Sequence, residues 1–205
     1  MQGQLSCGVM LLSSLLMVAA CSSESAHANR ASEPAAQSTS PKTNPDAEVL
    51  VDFKKRIDDY MALHNKLKKE APPLKETKDP AKIKASQQSL AMKIREARND
   101  AKQGDIFTPQ IRQLFRRLMY PEVKGPEGRA TKAAIAEESH EVKAVPLKVN
   151  AGYPDSAPLM TVPPNILAAL PKLPEDLEYR FVSRNMILLD THANVIVDFV
   201  PNAIQ

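Results

Sequence analysis

The chain has no tryptophan, only 4 Tyr and 5 Phe, 6 Gly among 205 residues, and 2 Cys. Each scarcity excludes something. So few rings cannot build the stacking platforms of single-strand binders, and a formal charge of +3 is mild, so no nucleic-acid partner is expected. The low glycine content excludes a collagen-like chain, and an apolar fraction of 43% excludes a wholly disordered one. There is no GxSxG elbow, no HExxH helix and no glycine-rich phosphate loop. Hydrolase, metalloprotease and nucleotide readings built on those motifs drop out, and neither a cofactor nor a metal site is expected.

One long apolar run is present. It extends from Leu5 to Ala20, too short for a comfortable membrane span of about 20 residues, and reads as a signal-peptide core. Its end, Val18-Ala19-Ala20-Cys21, resembles a bacterial lipobox: an aliphatic residue at −3, small residues at −2 and −1, then cysteine. The resemblance implies cleavage before Cys21, a diacylglycerol on its thiol, and an acyl chain such as palmitate on the new amino group. Several acyl chains hold a protein at a membrane without any spanning helix. Ser22, rather than Asp, at the next position implies sorting to the outer membrane, facing the periplasm. The n-region Met1-Gln2-Gly3-Gln4 lacks Lys and Arg, a departure from the pattern. Cys7 leaves with the signal and Cys21 is blocked, so the mature chain is expected to carry no disulfide and no thiol chemistry.

Four regions follow: a signal peptide at 1–20, the lipidated Cys21 with a disordered tether over 21–45, a helical region over 46–140, and a small β-rich region with a short helix over 141–205. The tether is Ser-, Ala-, Thr-, Asn- and Pro-rich, with too little apolar surface to offset the entropy of ordering it. The expected fold is α+β, with an antiparallel helical hairpin and a third helix packed on a carboxyl-terminal antiparallel β-meander.

Periodicity places the elements. Leu50, Phe53, Ile57, Tyr60, His64 and Leu67 alternate at three and four, as do Ile83, Gln87, Leu90, Ile94, Ala97 and Ala101. Laid antiparallel they pair layer by layer, Leu67 with Ile83, His64 with Gln87, and onward to Leu50 with Ala101. Asp79-Pro80 supplies a cap and first-turn proline, and Gly104 is read as the closing cap. Thr108-Pro109 opens a third helix that presents Ile111, Leu114, Phe115, Leu118 and Met119 inward and Arg112, Arg116 and Arg117 outward, with Pro121 ending it. A further helix is expected over 126–138 and a short one near Pro164. Three strands, Tyr179–Val182, Ile187–Asp190 and Val195–Val200, with turns at 183–186 and 191–194, would put Phe181, Leu188 and Val197 in one row of one buried face, shared by Tyr179, Met186, Val195 and Phe199.

The blocks Val51-Asp52-Phe53, Gly104-Asp105-Ile106-Phe107-Thr108-Pro109 and Val149-Asn150-Ala151-Gly152-Tyr153-Pro154 resemble an uncharacterised family of exported bacterial proteins, many of them lipoproteins. Separately, Leu170-Pro171, Tyr179-Arg180-Phe181-Val182, Leu188-Leu189-Asp190 and Val195-Ile196-Val197-Asp198 are similar to the carboxyl-terminal part of RcnB/CigR-type periplasmic proteins. That likeness implies a sheet and a periplasmic setting.

Candidate chemistry is sparse. Asp190 and His192 could form an acid/base pair at a hairpin tip, or begin a metal site if Asp198 joined them, though a polar turn is the plainer reading. His64 facing Gln87 reads as a buried polar layer that fixes register, with a proton-sensitive or ligand-facing layer as the alternative. Charge is more uneven than motif: residues 46–120 hold 17 basic and 11 acidic side chains, residues 121–205 hold 8 and 11. Lys66, Lys68, Lys69, Arg112, Arg116 and Arg117 therefore form a candidate surface for anionic headgroups or an envelope polyanion, against the alternative of an ordinary solvated face. The function expected is that of a non-enzymatic envelope lipoprotein, a structural or binding module with an envelope protein or polyanion as partner. Its alternatives are a periplasmic hydrolase-like enzyme using a pair such as Asp190 and His192, and a metal-responsive periplasmic protein.

Overall fold

A computed structural model describes residues 44–71, 78–140, 145, 147–155, 157 and 162–204. The expected signal peptide, Cys21 and the expected tether up to residue 43 lie outside the described residues. Among the described residues, five helices precede three strands: α1 (Pro45–Glu70), α2 (Pro80–Ala97), α3 (Pro109–Lys124), α4 (Gly128–His140), α5 (Pro164–Ala169), β1 (Leu177–Val182), β2 (Asn185–Asp190) and β3 (Val195–Val200). The fold is α+β with a carboxyl-terminal antiparallel meander, strand order β1-β2-β3.

Local chemistry starts the long helices. Asn44, Asp79 and Thr108 cap α1, α2 and α3, each side chain accepting a backbone N–H of the first turn and each followed directly by proline. Asp46 and Glu48 open α1 and Lys68 and Lys69 close it, which suits the helix dipole at both ends. The stripe Phe53, Ile57, Tyr60, His64 and Leu67 is buried, as its spacing requires. Phe53 lies against the rings of Phe107 and Phe115, whose centroids are 5.9 and 4.9 Å away.

The hairpin seam is shorter than its periodicity suggests. Helix α2 buries only Leu90, Ala91 and Ile94. Ile83 remains 44% exposed, so it forms no buried layer with Leu67. Gln87 turns toward Tyr153, Asp155 and Asn194, while His64 takes its partners elsewhere. The helix also ends at Ala97, with Arg98 as its cap, so the layers ending in Ala97 and Ala101 do not form. Phe53 instead finds its ring partners beyond α2, and aromatic stacking buries more surface than an alanine could.

Gly104 is in a turn after α2, at φ +99°, a conformation in which a side chain is strained. Pro121 lies inside α3, which continues to Lys124. Its missing N–H costs one intrahelical bond but does not stop a helix whose Phe115, Met119 and Val123 are all buried.

The sheet buries both faces. Tyr179, Phe181, Met186, Leu188, Val195, Val197 and Val200 join the helices in one core. Val182, Ile187, Leu189 and Ile196 form a second cluster with Val145 and Tyr153, and Phe199 packs against it. The near-continuous apolar run Met186-Ile187-Leu188-Leu189 has this cause, because a strand covered on both sides cannot alternate.

Two register corrections follow. The β1–β2 turn holds only Ser183 and Arg184, so Phe181 pairs with Met186, and Leu188 pairs with Tyr179. Between β2 and β3 the expected turn forms, Asp190 opposite Val195 and Leu189 opposite Ile196, but a bulge then sets Leu188 opposite Asp198. One extra residue flips every later side chain to the other face. Phe199 therefore leaves the helix-facing side, Val200 takes it, and Asp198 points in toward the helices.

Segment 150–153 extends the sheet past β3. Asn150 N–H donates to the Ile196 carbonyl at 2.8 Å, Ile196 N–H to the Ala151 carbonyl at 2.8 Å, and Tyr153 N–H to the Asn194 carbonyl at 3.2 Å. Asn150 and Asn194, at φ 65° and 51°, adopt the left-handed region that asparagine tolerates best among side-chain-bearing residues.

Candidate functional site

Among the described residues, two carboxylates, Asp190 and Asp198, lie wholly inside the protein. Asp190, at the end of β2, is contacted by α1: Tyr60 Oη donates to Asp190 Oδ2 at 2.6 Å, and His64 Nδ1 lies 2.6 Å from the same oxygen. The other oxygen accepts the Ala193 N–H at 2.8 Å. Tyr60 and His64 are four residues apart on one stripe, one helical turn, which is why both reach a single carboxylate. Burial raises the Asp190 carboxyl, but the hydrogen bonds from His64, Tyr60 and Ala193 outweigh it and leave the group below the usual carboxylate range. Burial first, and the neighbouring Asp190 charge second, push the Tyr60 phenol far above its ordinary value.

His64 is fully buried and its other nitrogen, Nε2, is 3.3 Å from Asp176 Oδ2, without hydrogen-bond geometry. Asp176, just before β1, also faces Lys68 Nζ at 3.6 Å and His192 Nδ1 at 3.8 Å. The His64 and His192 rings meet edge to face, centroids 6.0 Å apart. The imidazole against Asp190 is thus His64, 126 residues away in sequence, and His192 faces Asp176. Sequence reading found Asp190, His192, Tyr60 and His64 separately, but no local signal joins α1 to the β2–β3 turn. Asp176 and Arg98 were missed as members.

The second carboxylate, Asp198, takes backbone donors. Gly104, Ile106 and Phe107 N–H groups approach its oxygens at 3.1, 2.9 and 2.8 Å, and Phe199 N–H donates at 2.8 Å. It does not join Asp190 and His192. Arg98 lies between the two acids: its guanidinium sits 5.1 Å above the Tyr60 ring, donates to the Val197 carbonyl at 3.2 Å and to Asn150 Oδ1 at 3.1 Å. Burial lowers its pKa, against the pull of Tyr60, Asp198, Asp105 and Asp190. The Asn150 amide returns a bond to the Arg98 carbonyl at 2.6 Å.

The basic candidates do not share one open face. Lys66 and Lys69 are exposed on α1, but Lys68 is beside Asp176. Arg112 is half-buried, with a guanidinium nitrogen close to Gly104. Arg116 folds onto the carboxyl-terminal turn, donating to the carbonyls of Pro201 and Asn202 at 2.6 and 3.3 Å. Arg117 pairs with Asp46 at the start of α1. On α1 itself Lys54 and Lys55 pair with Asp58 and Asp59, and Arg56 with Asp52.

Two apolar grooves, of about 730 and 650 Å³, flank Pro171–Pro174, one beside α5 and β1, the other beside α1. Among the described residues no helix is long and apolar enough to cross a membrane, and no group of three His, Cys, Asp or Glu side chains is placed to hold a metal ion. No protein-family model, curated protein or solved structure matches the chain.

Proposed function

We propose that the chain is a non-enzymatic lipoprotein of the bacterial cell envelope, anchored through Cys21 at the outer membrane, whose folded part is a binding or structural module for an envelope protein or polyanion. Val18-Ala19-Ala20-Cys21 and the tether after it support the anchor. The observation that carries the non-enzymatic reading is the saturation of Asp190. The acid of the sequence-level acid/base pair is wholly buried, and its oxygens are taken by Tyr60, His64 and Ala193. A general base needs to lie within hydrogen-bond reach of a substrate proton. Asp190 is placed to tie α1 to the sheet instead.

The electrostatic contact, in this reading, falls to Lys66 and Lys69 on α1 more than to the α3 arginines, because Arg116 and Arg117 hold the protein's own groups. The anchor is tested by labelled fatty acid: incorporation into the wild type and not into Cys21→Ser is expected, and equal incorporation would overturn the lipoprotein reading.

A further inference from the structure

We propose that the β2–β3 turn at 191–194 is an acid-sensitive clasp, closed on α1 through Asp176 and Asp190 and opened when His192 takes a proton. The groups that meet there come from every element around the turn. Helix α1 supplies Tyr60, His64 and Lys68; the residues before β1 supply Asp176; β2 ends in Asp190; and Arg98, at the end of α2, covers the Tyr60 ring. Asp176 alone is shared by His64, Lys68 and His192, at 3.3, 3.6 and 3.8 Å.

The charges set the direction. Asp176 already faces the Lys68 ammonium at 3.6 Å, and Asp190 is taken up by Tyr60, His64 and Ala193, so a proton on His192, 3.8 Å from Asp176, sets a second cation against one carboxylate. His192 is the ring that can leave, because its side chain is 39% exposed while that of His64 is 0% exposed. Burial first, and the Lys68 ammonium next, hold the His192 imidazole below its ordinary value. The closed turn therefore binds the proton less readily than the open one. Closure is at full strength above the ordinary imidazole value and is lost as pH falls through it toward the lower value of the folded protein.

Two backbone bonds hold the turn and report on it. Ala193 N–H donates to Asp190 Oδ1 at 2.8 Å, and Thr191 N–H to the Asp176 carbonyl at 3.0 Å. Asn194 also grips Tyr153 by two bonds, so release of the turn would reshape the recess of about 430 Å³ between Gln87, Tyr153, Asp155 and Asn194.

The test is amide hydrogen exchange on the full chain, with rates corrected for the intrinsic effect of pH. Protection of Ala193 and Thr191 should fall severalfold between about pH 7 and about pH 5, while the Ile106 and Phe107 amides, held by Asp198, stay unchanged. His192→Gln should abolish the fall and Lys68→Met should reduce it. An undiminished fall in His192→Gln, a constant wild-type protection, or protection that rises on acidification would each overturn the clasp.

Discussion

Asp190 and Asp198 are both wholly buried and are held in opposite ways. Asp190 is met mainly by side chains, Tyr60 and His64 from a helix more than a hundred residues earlier. Asp198 is met by main-chain N–H groups of Gly104, Ile106 and Phe107. A side-chain cradle can be altered one group at a time. A backbone cradle can be emptied only from the acid's side, and its donors keep their protons at any pH. The first joins α1 to the sheet adjustably, the second fixes the 104–107 turn rigidly.

Emptying the backbone cradle should have the largest effect. Asp198→Ala strands the buried Ile106 and Phe107 N–H donors together with the part-buried ones of Gly104 and Phe199, and loss of about 3–5 kcal/mol is expected by denaturant unfolding, as for a broken buried charge interaction. A loss under about 1 kcal/mol would mean that water substitutes for the carboxylate. Asp190→Asn comes next, at about 2–3 kcal/mol near neutral pH, since bonds to a charged acceptor become bonds to a neutral one. Its pH signature sharpens the contrast. The folded Asp190 carboxyl is held below its ordinary value, so it contributes stability that is present above the unfolded value and is lost as pH falls through the folded one. Unfolding free energies measured below about pH 5 should fall less steeply for Asp190→Asn than for the wild type. Equal slopes would show that other carboxylates govern acid lability.

Tyr60→Phe removes a single donor and leaves the ring, so about 1.5 kcal/mol is expected from thermal or denaturant melts. At the low end, Lys55→Ala breaks only a solvated pair with Asp59 and should change stability by about 0.5 kcal/mol or less. A larger loss there would place structural weight on the outer face of α1, where Lys55 and Asp59 are both exposed.

What could be read from sequence tracks how local each cause is. Caps at Asp79 and Thr108, the α1 stripe from Phe53 to Leu67, and the turn between Asp190 and Val195 depend on neighbours within a few residues and were legible, whereas Asn44 and Pro45, read as the end of the tether, cap and open α1, and Leu50 stays exposed. The bulge at Leu188 was not, because Val195-Ile196-Val197-Asp198-Phe199-Val200 alternates plausibly in either register. What selects the bulge is Asp198 reaching N–H groups some 90 residues away, a cause outside any sequence window. His64 shows the same limit. Its place on the buried stripe was visible, yet its partner lies across the fold, and Gln87, matched to it by periodicity alone, faces Tyr153 and Asp155 instead.

The three blocks Val51–Phe53, Gly104–Pro109 and Val149–Pro154 now have physical duties. Asp52 orients Arg56, whose guanidinium donates to the Asp105 carbonyl at 2.7 Å. The 104–107 amides hold Asp198, and Asn150 joins Arg95 and Arg98 to the edge of β3, with Arg95 Nε donating to the Asn150 carbonyl at 2.9 Å. Each block thus serves the joint between helices and sheet.

The central claim is that Asp190 acts as a tie between α1 and the sheet, and a double-mutant cycle of Tyr60→Phe with Asp190→Asn measures it directly. Both single variants and the double variant would be unfolded in denaturant at neutral pH. A tie predicts coupling of about 1 kcal/mol or more, with the double variant losing clearly less than the two singles added together. Additivity within about 0.3–0.5 kcal/mol would contradict it, and would mean that the Tyr60 hydroxyl and the Asp190 carboxylate contribute independently of one another.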